Sequence, residues 1–219
     1  MNKKSIFYTI AAIALTTAIF VTYGFFSKQG PNEKMDTIET RIDTVNFFLK
    51  DVENDMEKGV YIASFRTFLG FTQFVASNGT YINNLGVKFK ESFLNGTLNK
   101  NQIDVMKGST FTDWSNKISQ QAAKIDINFS LIINGVYINQ TDPWSIDTSI
   151  NLTVKVTDMK NTSSWAREEM VSSKISIIGF EDPTYIVNTY GLVTNSIQVS
   201  NITQFVISGN ASNLLSQWG

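Results

Sequence analysis

The stretch WSIDTSINLTVKVT, residues 144–157, alternates apolar with polar side chains along its length. Its polar members include Asp147, Asn151 and Lys155, and its apolar members include Leu152 and Val156. Successive side chains of a β-strand point to opposite faces, so a period of two predicts a strand with one face on a core and the other in solvent. One wet face is typical of an antiparallel sheet. This segment is the clearest β-strand pattern in the chain.

Segments on both sides of this strand predict further strands. Residues 125–133 alternate in the same way, and Asn134-Gly135 predicts a tight turn after them. A turn at residues 160–162 predicts reversal into a partner strand over residues 170–178. Two more short strands are predicted at residues 185–187 and 197–207. The C-terminal part of the chain is therefore expected to form an antiparallel sheet.

Helical patterns precede the sheet. Residues 81–94 and 112–125 have helical spacing, and the second segment begins in a Ser/Thr-rich stretch that suits a helix start. Helices first and strands after them predict an α+β fold, with the helices packed on one face of the sheet. We expect residues 78–219 to form this α+β head.

A narrow apolar stripe marks residues 27–77 as a helical stalk. Gly30-Pro31 predicts a break before this helix, Asn32 is a candidate N-cap, and the helix is expected to end near residues 77–79. The stripe packs either against a partner helix in an oligomer or filament, or against the chain's own head, and its short length favours the head. Its apolar positions follow steps of three and four residues: Met35, Ile38, Ile42, Val45, Leu49, Val52 and Met56.

Residues 5–26 form a run of 22 residues without a charge. As a helix this run spans roughly 33 Å, the apolar thickness of a bilayer. Lys3 and Lys4 precede it, so the positive-inside rule places residues 1–4 in the cytoplasm and the rest of the chain outside. A cleaved signal peptide is the alternative, although bulky residues occupy 22–26, where a cleavage site needs small ones. The predicted single-pass transmembrane anchor contains Ile6, Phe7, Ile10, Ile13, Leu15, Ile19, Phe20 and Val21.

The composition argues against several classes of function. The formal net charge of -1, from 18 basic and 19 acidic residues, provides no field to attract nucleic acid. The chain has no Cys and no His, which removes thiolate chemistry, the Ser-His-Asp arrangement and the commonest metal ligands. We expect no cofactor, no metal and no enzymatic activity.

Three acidic pairs are the remaining candidates for chemistry. Glu168-Glu169, Glu181-Asp182 and the pair Asp142 and Asp147 provide carboxylates of the kind that glycoside hydrolysis uses. Adjacent acids on a strand point to opposite faces, and Glu181-Asp182 precedes a proline in a predicted turn. These acids are therefore expected to be solvated surface groups, and no catalytic residue is assigned.

Eight Asn-X-Ser/Thr sequons lie on the outward side of the predicted anchor, roughly twice the number that chance placement gives. They predict N-glycosylation, and the alternative is a solvated surface rich in Asn, Ser and Thr. The candidate sites are Asn78, Asn95, Asn128, Asn139, Asn151, Asn161, Asn201 and Asn210.

The layout of a charged tip, an apolar run continuing into a long helix, and a C-terminal sheet resembles that of type IV pilins and pilin-like proteins. The prepilin cleavage pattern is not matched, because Lys4 precedes Ser5 and Thr9 stands where those proteins have Glu. The segment IGFEDPTYIVNT, residues 178–189, resembles one found in uncharacterised membrane-anchored surface proteins of archaea. The resemblance implies a cell-surface location and no particular activity.

These patterns together predict a membrane-anchored extracytoplasmic surface protein with a structural, assembly or adhesion role. Its expected partners are the lipid bilayer and copies of itself or other surface proteins. The alternative is a solitary tethered ligand-binding or sensor module, which would need a pocket between the helices and the sheet.

Overall fold

A computed structural model describes residues 3–160 and 163–199; within the first helix it describes the side chains of residues 13–23 and of residue 38 onward. Helix α1, Lys3–Asn78, has 76 residues and is roughly 114 Å long. It continues through Gly30 and Pro31, which contradicts the predicted break. An interior proline removes one backbone hydrogen bond, but the turns before and after it stay bonded, so a long helix can extend past it.

Short elements connect α1 to the sheet. Helix α2, Leu85–Asn95, begins four residues later than predicted, because Asn84 has a left-handed backbone with φ of 54°. Strands β1, Thr97–Leu98, and β2, Asn101–Gln102, form a small hairpin, and a 3₁₀ turn follows at Asp104–Met106. Helix α3, Phe111–Ala123, agrees with the predicted helix to within two residues at each end. Helices α2 and α3 contact both β3 and α1, and the 3₁₀ turn contacts α1.

A capping box fixes the start of α3. The Thr110 hydroxyl accepts a hydrogen bond from the Asp113 backbone N–H at 2.9 Å, and the Asp113 carboxylate accepts one from the Thr110 N–H at 3.1 Å. This reciprocal pair satisfies two backbone donors that the first turn would otherwise leave without partners.

The main sheet has three antiparallel strands in the order β3-β4-β5, which confirms the predicted α+β architecture. The strands are β3, Ile127–Asp142, β4, Ser145–Asp158, and β5, Ser164–Ser176. Strand β4 matches the strand predicted at residues 144–157, and β5 begins six residues before its predicted start. The predicted 160–162 turn falls between β4 and β5, where residues 161 and 162 lie outside the described chain.

The prediction of a tight turn at Asn134-Gly135 is wrong. Strand β3 continues through it as a bulge, with Ile133 opposite Leu152 and Gly135 opposite Asn151. A Cβ on Gly135 would lie 2.8 Å from Tyr137 Cε2, so the glycine lets the tyrosine ring lie across the strand. The chain turns instead at residues 143–144.

Helix α4, Pro183–Asn188, occupies the position of the strand predicted at residues 185–187, so that prediction is also wrong. The Asp182 carboxylate accepts a hydrogen bond from the Thr184 N–H at 2.8 Å, and Pro183 supplies a helical φ at the first position. These two signals outweigh the β-branched residues that follow. Of the strand predicted at 197–207, residues 200–207 lie outside the described chain, and the nearby Ser196 forms only an isolated bridge with Glu181.

The core lies between the inner face of the sheet and the second half of α1. Val52 and Met56 of α1 are buried with Leu152 and Val156 of β4. A row of rings continues this core toward α2 and α3, with successive centroids 5.0 to 5.6 Å apart: Phe68, Phe89, Phe93, Phe111 and Trp114. The head therefore includes the second half of α1 as a structural member.

Candidate functional site

Residues 13–23 of α1 expose apolar side chains along the predicted anchor. Ile13, Leu15, Ile19, Phe20 and Val21 are exposed by 57 to 78%. The other predicted anchor residues, Ile6, Phe7 and Ile10, lie outside the described side chains. Within the residues that the structure describes, no helix combines the length and the apolarity needed to span a membrane.

Threonines in this part of α1 return their hydroxyls to the helix. Thr17 Oγ1 donates to the carbonyl of Ile13 at 2.9 Å, and Thr22 Oγ1 donates to the carbonyl of Ala18 at the same distance. Thr16 Oγ1 makes an equivalent bond, 3.0 Å long. Hydroxyls bonded in this way need no water, so the helix surface is more apolar than its composition suggests.

The stripe predicted on the stalk divides into two parts. Val45, Val52 and Met56 are buried in the core, and Leu49 packs against it. Ile38 and Ile42 are exposed by 46 and 38%, and the Met35 side chain lies outside those described. From Val45 onward, the stripe packs against the chain's own sheet, and the two isoleucines before it remain open.

An ion pair joins α1 to the sheet where the helix enters the head. Arg41 Nε and Nη2 both donate to Asp158 Oδ1, at 2.7 and 2.6 Å, and Nη2 also donates to the Asp126 carbonyl at 2.9 Å. Asp158 is fully buried, and the Arg41 side chain is 19% exposed. We refer to Arg41 and Asp158 as the clamp. It connects one turn of α1 to the end of β4.

A cavity of about 340 Å³ lies between α1 and the edge strand β5, and we call it the α1–β5 cavity. Charged groups surround it: Arg167 donates to Glu53 at 2.9 Å, and its Nη2 lies 4.0 Å from Glu169 Oε1. Glu169 Oε2 is buried and accepts no hydrogen bond from the described residues. The remaining lining is mainly apolar: Leu49, Val52, Met56, Val154, Trp165 and Ala166.

A second cavity, of about 300 Å³, lies near the C-terminal end of α1. Phe71 and Val75 of α1 line one side, and Phe180 and Pro183 line the other. The 178–189 segment singled out in the sequence thus contributes to its wall, and Phe180 also packs edge-on against Phe65 at 5.4 Å. In this chain the segment serves to pack against α1.

The acidic pairs are dispersed over the surface. Glu168 faces outward and accepts a hydrogen bond from Asn151, whereas Glu169 faces α1, as alternation predicts. The Lys174 ammonium, the Ser145 hydroxyl and the Trp144 N–H hold the pKa of Asp142 well below its usual range. No group of three or more metal-ligating acids occurs among the described residues. Glu168 and Asp142 act in structural contacts, whereas Glu169, which was expected to be a solvated surface group, lines the α1–β5 cavity with one oxygen buried.

The candidate glycosylation sites differ in accessibility. Asn78, Asn95, Asn128 and Asn139 are exposed. Asn151 is half-buried, and its amide donates to Glu168 Oε1 at 3.0 Å. The remaining three, Asn161, Asn201 and Asn210, lie outside the described residues.

Sequence patterns did not single out the clamp or the α1–β5 cavity. One signal was available: the alternation of Leu152, Val154 and Val156 continues to Asp158, which puts a carboxylate on the core face. A carboxylate in that position needs a cationic partner. Nothing local in the sequence identifies Arg41 as that partner, since 117 positions separate the two residues.

No family model, curated protein or solved structure matches this chain.

Proposed function

We propose that this chain is a membrane-anchored extracytoplasmic surface protein with a structural or assembly role, similar in layout to pilins. The observation that carries the proposal is the division of one helix into two environments. Residues 13–23 of α1 expose large apolar side chains, and the second half of the helix is built into the core of the head.

Physical chemistry favours the bilayer as the environment of residues 5–26. A run of 22 uncharged residues with side chains as exposed as Phe20, at 78%, is unfavourable in water and favourable in hydrocarbon. Thr17 and Thr22, whose hydroxyls bond to helix carbonyls, add no unsatisfied polar group to that environment. Lys3 and Lys4 support an N-terminus in the cytoplasm and an external head.

The proposed assembly role rests on the part of the apolar stripe that the head does not bury. Ile38 and Ile42 are exposed beside the buried Val45, so the same helix face extends beyond the head. An apolar strip on a helix is a suitable contact for the same helix of a second copy. Copies of this chain, or other surface proteins, are therefore the partners we propose.

N-glycosylation of the head belongs to the same proposal. Exposure favours modification at Asn78, Asn95, Asn128 and Asn139. Asn151 is a poorer acceptor, because it is half-buried. The intact mass of protein from its source membrane tests this, and a mass equal to the bare chain would reject it.

A charge placed in the first half of α1 tests the anchor. We expect Phe20→Asp to move the full-length chain from the membrane pellet to the soluble fraction, since Asp at the centre of a membrane helix costs about 3 kcal/mol. Phe47→Asp is the matched control, because Phe47 is a 69% exposed phenylalanine on the same helix, beyond its entry into the head. Equal fractionation of the two variants would refute the proposal.

The alternative function is a solitary tethered ligand-binding module. The α1–β5 cavity supports it, since about 340 Å³ lies at the lower end of the range for small-molecule sites. A chain that stays monomeric in membranes while its cavity binds a ligand would favour this function over assembly.

A further inference from the structure

The α1–β5 cavity contains a carboxylate oxygen without a donor. Glu169 Oε2 is buried and accepts no hydrogen bond from the described residues, although the Glu169 side chain lies on the wall of the cavity. Leaving a buried acceptor unpaired is costly, and the cost is larger for a charged group. The site is therefore suited to a ligand that brings a donor.

The charges around the cavity favour a cationic donor. Glu53 and Glu169 contribute two negative charges and Arg167 contributes one positive charge, so the lining has a net charge of -1. Arg167 is directed to Glu53, at 2.9 Å, and its distance of 4.0 Å to Glu169 Oε1 is too long for a hydrogen bond. An added cation would neutralise Glu169, whereas an anion would be repelled.

The rest of the cavity favours an apolar stem on that cation. Leu49, Val52 and Met56 of α1 and Val154 of β4 form apolar walls. Trp165 lines the same space, and an indole ring attracts cations that lie over its face. A volume of about 340 Å³ suits a short chain.

We propose that the α1–β5 cavity binds a primary alkylammonium group, with Glu169 as the carboxylate that receives the ammonium. The methylene groups of the ligand contact the walls from α1 and β4, and the ammonium donates to Glu169 Oε2. A free amine and the side chain of a lysine share this chemistry. The site lies within the head, so it does not depend on whether residues 5–26 enter a membrane.

Titration of the full-length chain with n-butylammonium in nonionic detergent tests the site. The readout is the NMR resonances of the tryptophan indole N–H groups. We expect saturable binding on the order of millimolar, with the resonance of Trp165 shifting. Trp114 does not line the cavity, and its indole N–H donates to Asp55 at 2.9 Å, so its resonance is the internal reference. Absence of a saturable shift at Trp165 would overturn the proposal.

A neutral ligand and a neighbouring residue provide matched controls. We expect 1-butanol, which has the same stem without the charge, to bind at least tenfold more weakly, and equal binding would overturn the role of Glu169. Glu169→Gln should weaken butylammonium binding roughly 10- to 100-fold, because a charge-assisted hydrogen bond is lost. Glu168→Gln, on the opposite face of the same strand, should leave the affinity unchanged.

The source of the amine is resolved by a second ligand. Nα-acetyl-lysine methylamide presents the same ammonium on a peptide backbone. Tighter binding of this compound than of butylammonium would support a lysine side chain of a partner protein, and weaker binding would support a free amine. Loss of affinity for both ligands on an equally folded Glu168→Gln variant would overturn the assignment to Glu169.

Discussion

Removing the positive half of the clamp should destabilise the head strongly. In Arg41→Met the buried carboxylate of Asp158 loses both hydrogen bonds to its Oδ1, at 2.6 and 2.7 Å, and the Asp126 carbonyl loses a third, at 2.9 Å. Breaking a buried pair from one side costs about 3–5 kcal/mol, because the remaining charge stays in the core without the partner that was removed. The free energy of unfolding should fall by that amount.

Urea denaturation of the full-length chain in detergent measures this change, with circular dichroism as the signal. For a chain of this size, the loss corresponds to a decrease in melting temperature of roughly 6–20 °C. Arg66→Met is the matched control, since Arg66 is exposed and donates to Ser109 Oγ at 2.7 Å and to the Val105 carbonyl at 3.1 Å. Its loss should cost about 1 kcal/mol or less.

A second substitution separates charge burial from packing. Arg41→Met combined with Asp158→Leu removes both charges, and we expect it to recover most of the stability that Arg41→Met loses. An Arg41→Met variant that loses no more unfolding free energy than Arg66→Met would refute the role of the clamp. A double variant as unstable as Arg41→Met alone would refute it as well.

Three further predictions concern the head. Phe93→Ala should cost about 3–5 kcal/mol in denaturation, since Phe93 is fully buried with rings 5.6 and 5.2 Å away on either side; a cost under 1 kcal/mol would contradict this packing. Gly135→Ala should lower the melting temperature because its Cβ meets the Tyr137 ring. Gly86→Ala, which has open space around it in α2, should instead stabilise the chain by up to about 1 kcal/mol. A Gly135→Ala variant more stable than Gly86→Ala would show that the ring does not lie over Gly135. The pKa of Asp142 is lowered chiefly by its hydrogen bond from Lys174, so its contribution to stability is present above the unfolded pKa of about 3.9 and disappears as the pH falls below it. Asp142→Asn should therefore reduce the loss of stability at acid pH in a plot of unfolding free energy against pH. An unchanged acid part of that plot would exclude this contact.

Local sequence patterns were sufficient to predict the elements in which periodicity and residue type indicate the same secondary structure. The alternation over residues 144–157 predicted β4 because burial on one face imposes a period of two on any half-buried strand. The stripe from Met35 to Met56 predicted a helix for the corresponding reason, with a period near 3.6. Thr110 and Asp182 cap the starts of α3 and α4; the Ser/Thr-rich stretch predicted the first of these starts, whereas the second lay in a segment predicted as a turn and a strand.

The sequence by itself determined that α1 has one apolar stripe, that the strands have one wet face, and that residues 5–26 carry no charge. Only the tertiary structure decided that the stripe from Val45 to Met56 packs on the chain's own sheet, that Arg41 neutralises Asp158, and that Glu169 lines a cavity beside Trp165. The physical reason is that these contacts join residues far apart in the sequence. Periodicity records which face of an element is buried, but the groups that bury it lie elsewhere along the chain, 117 positions away for Arg41 and Asp158, and only the folded chain brings them together.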